Sequence, residues 1–433
     1  MLAGTAITLG GVPGLAAGQS TPTVLWEYEA DRGIGASPTV VDGTVYTAST
    51  DRVLHAVDAE TGDGLWTVDG EGSYPLSVID DVVYSTGQET VAREASSGEA
   101  IWESPISDQL RFQTVVGDLL VGTTGKDLIG LDVASGEEEW RFFDPSGANV
   151  GSSPTVVEGI AVAGLGAAAC FAVDVDTGER RWKHDMELNG HVYSSPTVVD
   201  GTVIVGSDDG NVYALDLQTG EEEWVTETGF TRSSPTVHDG VVYVGGTPDA
   251  TATVYALDVE NGDELWQTAV EGAGVDSGLT IADGVVYASA QGFDDTLYAL
   301  DAASGDIEWS FGVDRTLTDP IVVDDIAYVA SQDNTLYALE AGGSSEGTRV
   351  ELGTLNHHDT WADRSPTIDV GSGSEDGDDQ PDDEPQESDD EATDDDDDTG
   401  DDDGSPGPGA VGAAAAVGSV AYYLSRRSAD ETN

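Results

Sequence analysis

"VYALDLQTGEEEW" (Val212–Trp224) recurs along the chain as "HAVDAETGDGLW" (His55–Trp66), "IGLDVASGEEEW" (Ile129–Trp140), "FAVDVDTGERRW" (Phe171–Trp182), "YALDVENGDELW" (Tyr255–Trp266) and "YALDAASGDIEW" (Tyr298–Trp309). "AREASSGEAIW" (Ala92–Trp102) is a degenerate copy. Each position in the motif has a physical task. Gly62, Gly136, Gly178, Gly220, Gly262 and Gly305 permit a positive φ in a hairpin turn. Asp58, Asp174, Asp216, Asp258 and Asp301 can accept bonds from backbone N–H groups two residues on. The alanine leaves space for a ring, and the tryptophan supplies a large rigid surface. An aspartate repeated in every copy reads as a turn device rather than a catalyst.

The tryptophans set the period. Trp26, Trp66, Trp102, Trp140, Trp182, Trp224, Trp266 and Trp309 are separated by 40, 36, 38, 42, 42, 42 and 43 residues. Each interval holds short β-branched runs punctuated by Gly and Asp, as in "SSPTVVDG", "TVIVGSDDG", "NVYALDLQTG" and "EEEWVTETG" (Ser194–Gly229). Four strands per repeat at this period predict an all-β, eight-bladed β-propeller of four-stranded antiparallel blades over residues 23–345. The last repeat loses its tryptophan after "TLYALEAGG" (Thr335–Gly343), whereas "TVLWEYEAD" (Thr23–Asp31) has the character of an outer strand. The N-terminal strand is therefore expected to complete the last blade, with "TRVELG" (Thr348–Gly353) as the alternative.

The ends read differently. Residues 1–20 are apolar, small and uncharged, like the core of a secretory signal without its basic start. Residues 346–370 are expected to pack on or beside the propeller, and 371–409 form an acidic linker too polar to bury a core. Residues 410–427 are a short apolar segment ending in Arg426 and Arg427, marginal as a membrane anchor. Pro-Gly residues, apolar segment and arginines (Ser405–Arg427) together resemble the PGF-type sorting tail of archaeal surface proteins, departing from it at Pro408. Both a processed tail and a retained helix place the propeller on the extracellular face of the membrane.

The chain of 433 residues carries 84 acidic and 15 basic residues, a net charge of −69. Only Lys126 and Lys183 are lysines. The acid is spread through the body as well as the tail, which resembles the proteins of extreme halophiles, where the Debye length falls to about 3 Å at molar salt. No basic patch is available for a nucleic-acid partner. Cys170, the one cysteine, lies in an apolar run and reads as a small buried hydrophobe.

The spacing A-x-D-x-x-x-G-x-x-x-W is similar to the tryptophan-docking motif of the pyrroloquinoline-quinone-like propeller repeat family. That resemblance implies an indole packed between blades against the Ala and Gly of an adjacent motif. The family includes quinoprotein alcohol dehydrogenases and the non-catalytic, BamB-like assembly propeller. The dehydrogenases imply a quinone over the ring axis, Ca²⁺ held by Glu and Asn, an Asp base and a disulfide of adjacent cysteines, which one cysteine cannot form. Arg32, Arg111, Arg232 and Arg315, near the starts of inner strands, are the candidates for holding quinone carboxylates. His357 and His358 in "NHHDTW" point to opposite faces of an extended chain, so no metal site is assigned. "SDDGN" (Ser207–Asn211) and "SQDNT" (Ser331–Thr335) place Asp and Asn at turns, as hairpins or cation loops do. The Ser-Pro-Thr triplets at Ser37, Ser153, Ser195 and Ser234 open inner strands and are placed at the rim of the central channel. The expectation is a surface-tethered scaffold for envelope proteins or glycans, without catalytic residues or a resident cofactor. The alternatives are a quinone- and Ca²⁺-dependent dehydrogenase of alcohols or sugars, and a carbohydrate-active propeller.

Overall fold

The computed structural model describes residues 21–341, apart from 71–73, 88, 107–109, 187–189, 293–294 and 314. The signal-like segment, the 346–370 extension, the acidic linker, the apolar tail and His357–His358 lie outside the described residues. Eight separate four-stranded sheets carry the chain, all of their strand pairs antiparallel. Blades 1 to 7 span residues 39–69, 77–103, 112–143, 155–185, 197–227, 236–269 and 280–313. Blade 8 combines 321–340 with the N-terminal strand Val24–Glu29. The innermost strands touch in order around the ring, and the last one touches the first.

Closure follows the expectation. Val24–Glu29 pairs antiparallel with Thr335–Glu340, and the Glu340 N–H donates to the Thr23 carbonyl at 2.8 Å. The outer position of blade 8 is thus filled by the N-terminal strand; Thr348–Gly353 lies outside the described residues.

Local chemistry makes the blades. The first hairpin of blade 5 turns at Asp200 (φ 48°) and Gly201 (φ 83°), and Asp42–Gly43, Asp239–Gly240 and Asp283–Gly284 share this paired positive φ. Two positive φ values give the two-residue turn whose twist suits antiparallel neighbours, and Asp-Gly tolerates it. In the opening motif, Asp216 Oδ1 accepts the Gln218 N–H at 3.1 Å and both the N–H and the hydroxyl of Thr219 at 2.7 Å. Gly220 (φ 69°) closes the turn onto the Asp216 carbonyl. Asp58, Asp174 and Asp301 do the same, and the hydroxyl and N–H donors of Thr61, Thr219 and Ser304, with Arg181 leading at Asp174, hold these carboxylates below their usual range. Such groups favour the fold above the unfolded-state pKa and lose that contribution as the pH falls through the folded one.

The tryptophans join the blades. Trp182, buried at the edge of blade 4, donates Nε1–H to the Leu217 carbonyl of blade 5 at 2.7 Å. Its ring stands 2.6 Å from where a Cβ on Gly220 would be, so glycine is needed there for space as well as for φ. Trp26, Trp66, Trp102, Trp224 and Trp266 repeat the bond, onto the carbonyls of Ala59, Ala95, Val133, Val259 and Ala302 at 2.8–3.0 Å. Their rings cover Gly62, Gly98, Gly136, Gly262 and Gly305, and the Trp140 ring covers Gly178. Gly98, in the degenerate copy, is a docking position that the sequence reading passes over. Trp309 packs with Ala341, where the described chain ends.

Each outer strand carries a β-bulge immediately before its tryptophan. Ala214 faces Trp224 and Leu215 faces Glu222, which leaves Glu223 without a cross-strand partner, and all eight blades show this shift. The bulge adds twist and re-aims the side chain, here toward the next blade. The alanine also serves its own sheet, since it lies opposite that sheet's tryptophan. In blade 3 the position is Gly130, and the Trp140 indole occupies the space a Cβ would take. Trp140 Nε1 is buried without a hydrogen-bond partner.

Trp182→Ala is expected to cost about 3–5 kcal/mol, read as a lower denaturant midpoint at unchanged slope. Gly130→Ala is expected to stabilise by about 1 kcal/mol, by returning the Trp140 indole to the bonded position of its siblings and by relieving glycine's backbone entropy. A lower melting temperature for Gly130→Ala would contradict this account of the ring.

Candidate functional site

In a four-stranded antiparallel blade, the connection entering from the previous blade and the turn between the second and third strands lie at the same end. Five isolated bridges tie these two elements together, among them Ile34 to Ser49, Phe230 to Thr247 and Leu317 to Ser331. That end carries all four candidate arginines, each on an incoming connection: Arg32 into blade 1, Arg111 into blade 3, Arg232 into blade 6 and Arg315 into blade 8.

The Ser-Pro-Thr triplets stitch the inner ring. The Ser153 N–H donates to Ser195 Oγ at 3.2 Å, and the Ser195 N–H donates to Ser234 Oγ at 3.0 Å. Blades 7, 8 and 1 continue in the same manner, through Gly278 N–H to Asp319 Oδ1 (2.8 Å) and Asp319 N–H to Ser37 Oγ (3.3 Å). Thr155 and Thr197 donate their hydroxyls to the carbonyls of Pro196 and Pro235, both at 2.6 Å. These serines and threonines thus bond blade to blade around the axis.

The four arginines have different surroundings. Arg32, Arg111 and Arg315 are exposed. Arg232 is half-buried and forms a two-pronged pair with Asp208 of blade 5, Nε to Oδ1 at 2.8 Å and Nη2 to Oδ2 at 2.9 Å. Its guanidinium also lies 5.2 Å from the Tyr193 ring centroid. Asp276, on the connection into blade 7, feels the Arg232 charge, yet burial dominates and raises its pKa. The sequence reading singled out neither Asp276 nor the pairing of Asp208 with Arg232, because their connections belong to different repeats.

The turn aspartates are committed as well. Asp209 accepts the Asn211 N–H and side-chain amide, both at 3.1 Å, and the Tyr213 hydroxyl at 2.8 Å. Asp333 holds the Thr335 N–H at 3.0 Å and the Tyr337 hydroxyl at 2.7 Å. Among the described residues, no three His, Cys, Asp or Glu side chains converge as a metal site would require. Cys170 is fully buried, and its thiol is pushed up to about 12 by that burial.

The bulge-aimed indoles and the closed ring define a tryptophan-docked propeller of the quinoprotein type. The family described as "Outer membrane protein assembly factor BamB" matches residues 3–108, 72–188, 170–272 and 250–350, and the chain belongs to it. Among curated relatives, the chain is 32% identical over 83 residues to the quinohemoprotein alcohol dehydrogenase of Comamonas testosteroni, covering 19% of this chain and 10% of that one. It is 28% identical over 119 residues to outer membrane protein assembly factor BamB of Salmonella typhimurium, covering 23% of this chain and 30% of that one. The matches thus span less than a third of either relative. The solved structure of BamB from Moraxella catarrhalis superposes with a TM-score of 0.62 at 18% identity, over 74% of this chain and 100% of that one, which shows the shared fold.

Asp276→Asn provides a test of the charged cluster. With a raised folded-state pKa, the ionised Asp276 disfavours the fold at neutral pH, and protonation relieves this as the pH falls through that pKa. The variant is expected to melt higher than the parent at pH 7, with the gap closing on acidification. A gap that stays constant with pH, measured by thermal unfolding from pH 7 to pH 4, would contradict the assignment.

Proposed function

We propose that the chain is a non-catalytic propeller scaffold that holds an envelope protein partner on the extracellular face of the cell membrane. One observation carries this reading: the recurring polar and aromatic residues are consumed in building the ring. The motif aspartates hold turns, the tryptophans clasp blades, Thr155, Ser195, Thr197 and Ser234 bond across blades, and Arg232 is spent on Asp208. Membership of a family described by an assembly factor supports a protein partner. The signal-like segment 1–20 and the apolar tail 410–427 support export and tethering, and the acid loading supports a high-salt setting.

The alternative, a quinone-dependent dehydrogenase, draws on the similarity to the Comamonas enzyme. Of the four arginines that could hold quinone carboxylates, the half-buried Arg232 already faces the Asp208 carboxylate.

The two readings part in one experiment. The purified protein, in salt that keeps it folded, is titrated with pyrroloquinoline quinone and Ca²⁺ and assayed for dye-linked oxidation of alcohols and sugars. The scaffold reading expects no saturable binding and no turnover, together with specific crosslinking to a protein in envelope extracts. Tight quinone binding with turnover would overturn it.

A further inference from the structure

Blade 3 brings an arginine and a lysine together at one point of the loop end. A cleft of about 540 Å³ opens there, lined by Arg111, Thr124, Gly125, Lys126, Phe143 and Asn149, with Asp127 at its wall. It therefore holds one of only two lysines in a chain of net charge −69, next to an arginine. Asp127 bonds Arg141 Nη1 at 2.6 Å, and Arg141 also pairs with Glu138, so this group of three keeps a single net negative charge against the two cations of the cleft. The side chains of Arg111 and Lys126 have no ion-pair or hydrogen-bond partner among the described residues, whereas Arg232 on the same end is matched by Asp208.

The cleft is also built to hold its shape. Gly125 (φ +96°) lets the guanidinium lie across the turn, with Cζ 3.1 Å from where a Cβ would stand. The turn is pinned by Thr124 N–H to the Asp127 carbonyl at 3.0 Å, Asp127 N–H to Thr124 Oγ1 at 3.2 Å and Val150 N–H to the Gly125 carbonyl at 3.0 Å. Phe143 is 51% exposed at the wall, and the exposed Asn149 supplies an amide.

The geometry points to a binding site for an acidic saccharide, a sugar bearing a carboxylate or a sulfate. Two unpaired cations recognise the anionic group. The Phe143 face offers the apolar surface on which the C–H side of a sugar ring can lie, and Thr124 and Asn149 can bond hydroxyls. The surrounding acid is screened beyond a Debye length, about 8 Å at physiological ionic strength and less in stronger salt, so short-range contact decides the outcome. This site is independent of the protein partner proposed above.

The test is calorimetric titration of the full chain with oligogalacturonate and chondroitin sulfate hexasaccharides, with cellohexaose and inorganic sulfate in parallel. At least one acidic hexasaccharide is expected to bind and cellohexaose not to bind. The double variant R111A/K126A is expected to weaken binding about tenfold or more, as loss of charged hydrogen bonds does. F143A is expected to weaken saccharide binding while leaving that of sulfate unchanged. Arg111, Lys126 and Phe143 are exposed, so unchanged melting temperatures confirm intact folding. Absence of binding by both acidic sugars, equal binding of cellohexaose, or binding indifferent to the double variant would overturn the site. Indifference to F143A would overturn its assignment to a saccharide.

Discussion

The ring depends on the indole that crosses each blade boundary. A blade edge exposes unpaired backbone groups and an apolar flank, and blades share few main-chain bonds. The tryptophan covers that gap with its ring face against a bare glycine and its N–H on the adjacent carbonyl, as Trp182 does with Gly220 and Leu217. Glycine serves two needs at this point: a turn at positive φ and a surface without a Cβ. A larger residue would strain the turn and push the indole away together.

The bulge before the tryptophan makes the clasp geometrically accessible. In a regular strand, alternate residues face opposite sides of the sheet, and one extra residue changes where the next side chain points. Blade 3 shows how closely the parts are matched. With Gly130 in place of alanine, the Trp140 ring slides into the vacant volume and its N–H is left without an acceptor. Closure by Val24–Glu29 draws the two ends of the ring into one sheet, so separating a blade boundary also means breaking a strand pair.

The loop end distributes charge unevenly. Between blades 5 and 6, Arg232 and Asp208 satisfy each other in a two-pronged pair, and Asp209 and Asp333 lock their own turns. At blade 3 the acid on the wall is claimed from the flank by Arg141, and the two cations beside it face outward. In a chain this acidic, such a place is set apart because two cations meet in one cleft.

The sequence by itself determined the number of blades, the turn chemistry and the closure of blade 8, because these are written in local spacing: ten residues from Ala214 to Trp224, an Asp-Gly at four of the inner hairpins and a spare tryptophan strand at Trp26. It also placed the docking glycines, although Gly98 was hidden by its degenerate surroundings. Only the tertiary structure decided which carbonyl each indole reaches and which charges meet. Arg232 and Asp208 lie 24 residues apart, and Asp276 belongs to another repeat, so no local pattern relates them. The four arginines look equivalent in sequence because each precedes an inner strand. Folding separates them, since the energy of a charge depends on the neighbours that other blades bring within a few ångströms.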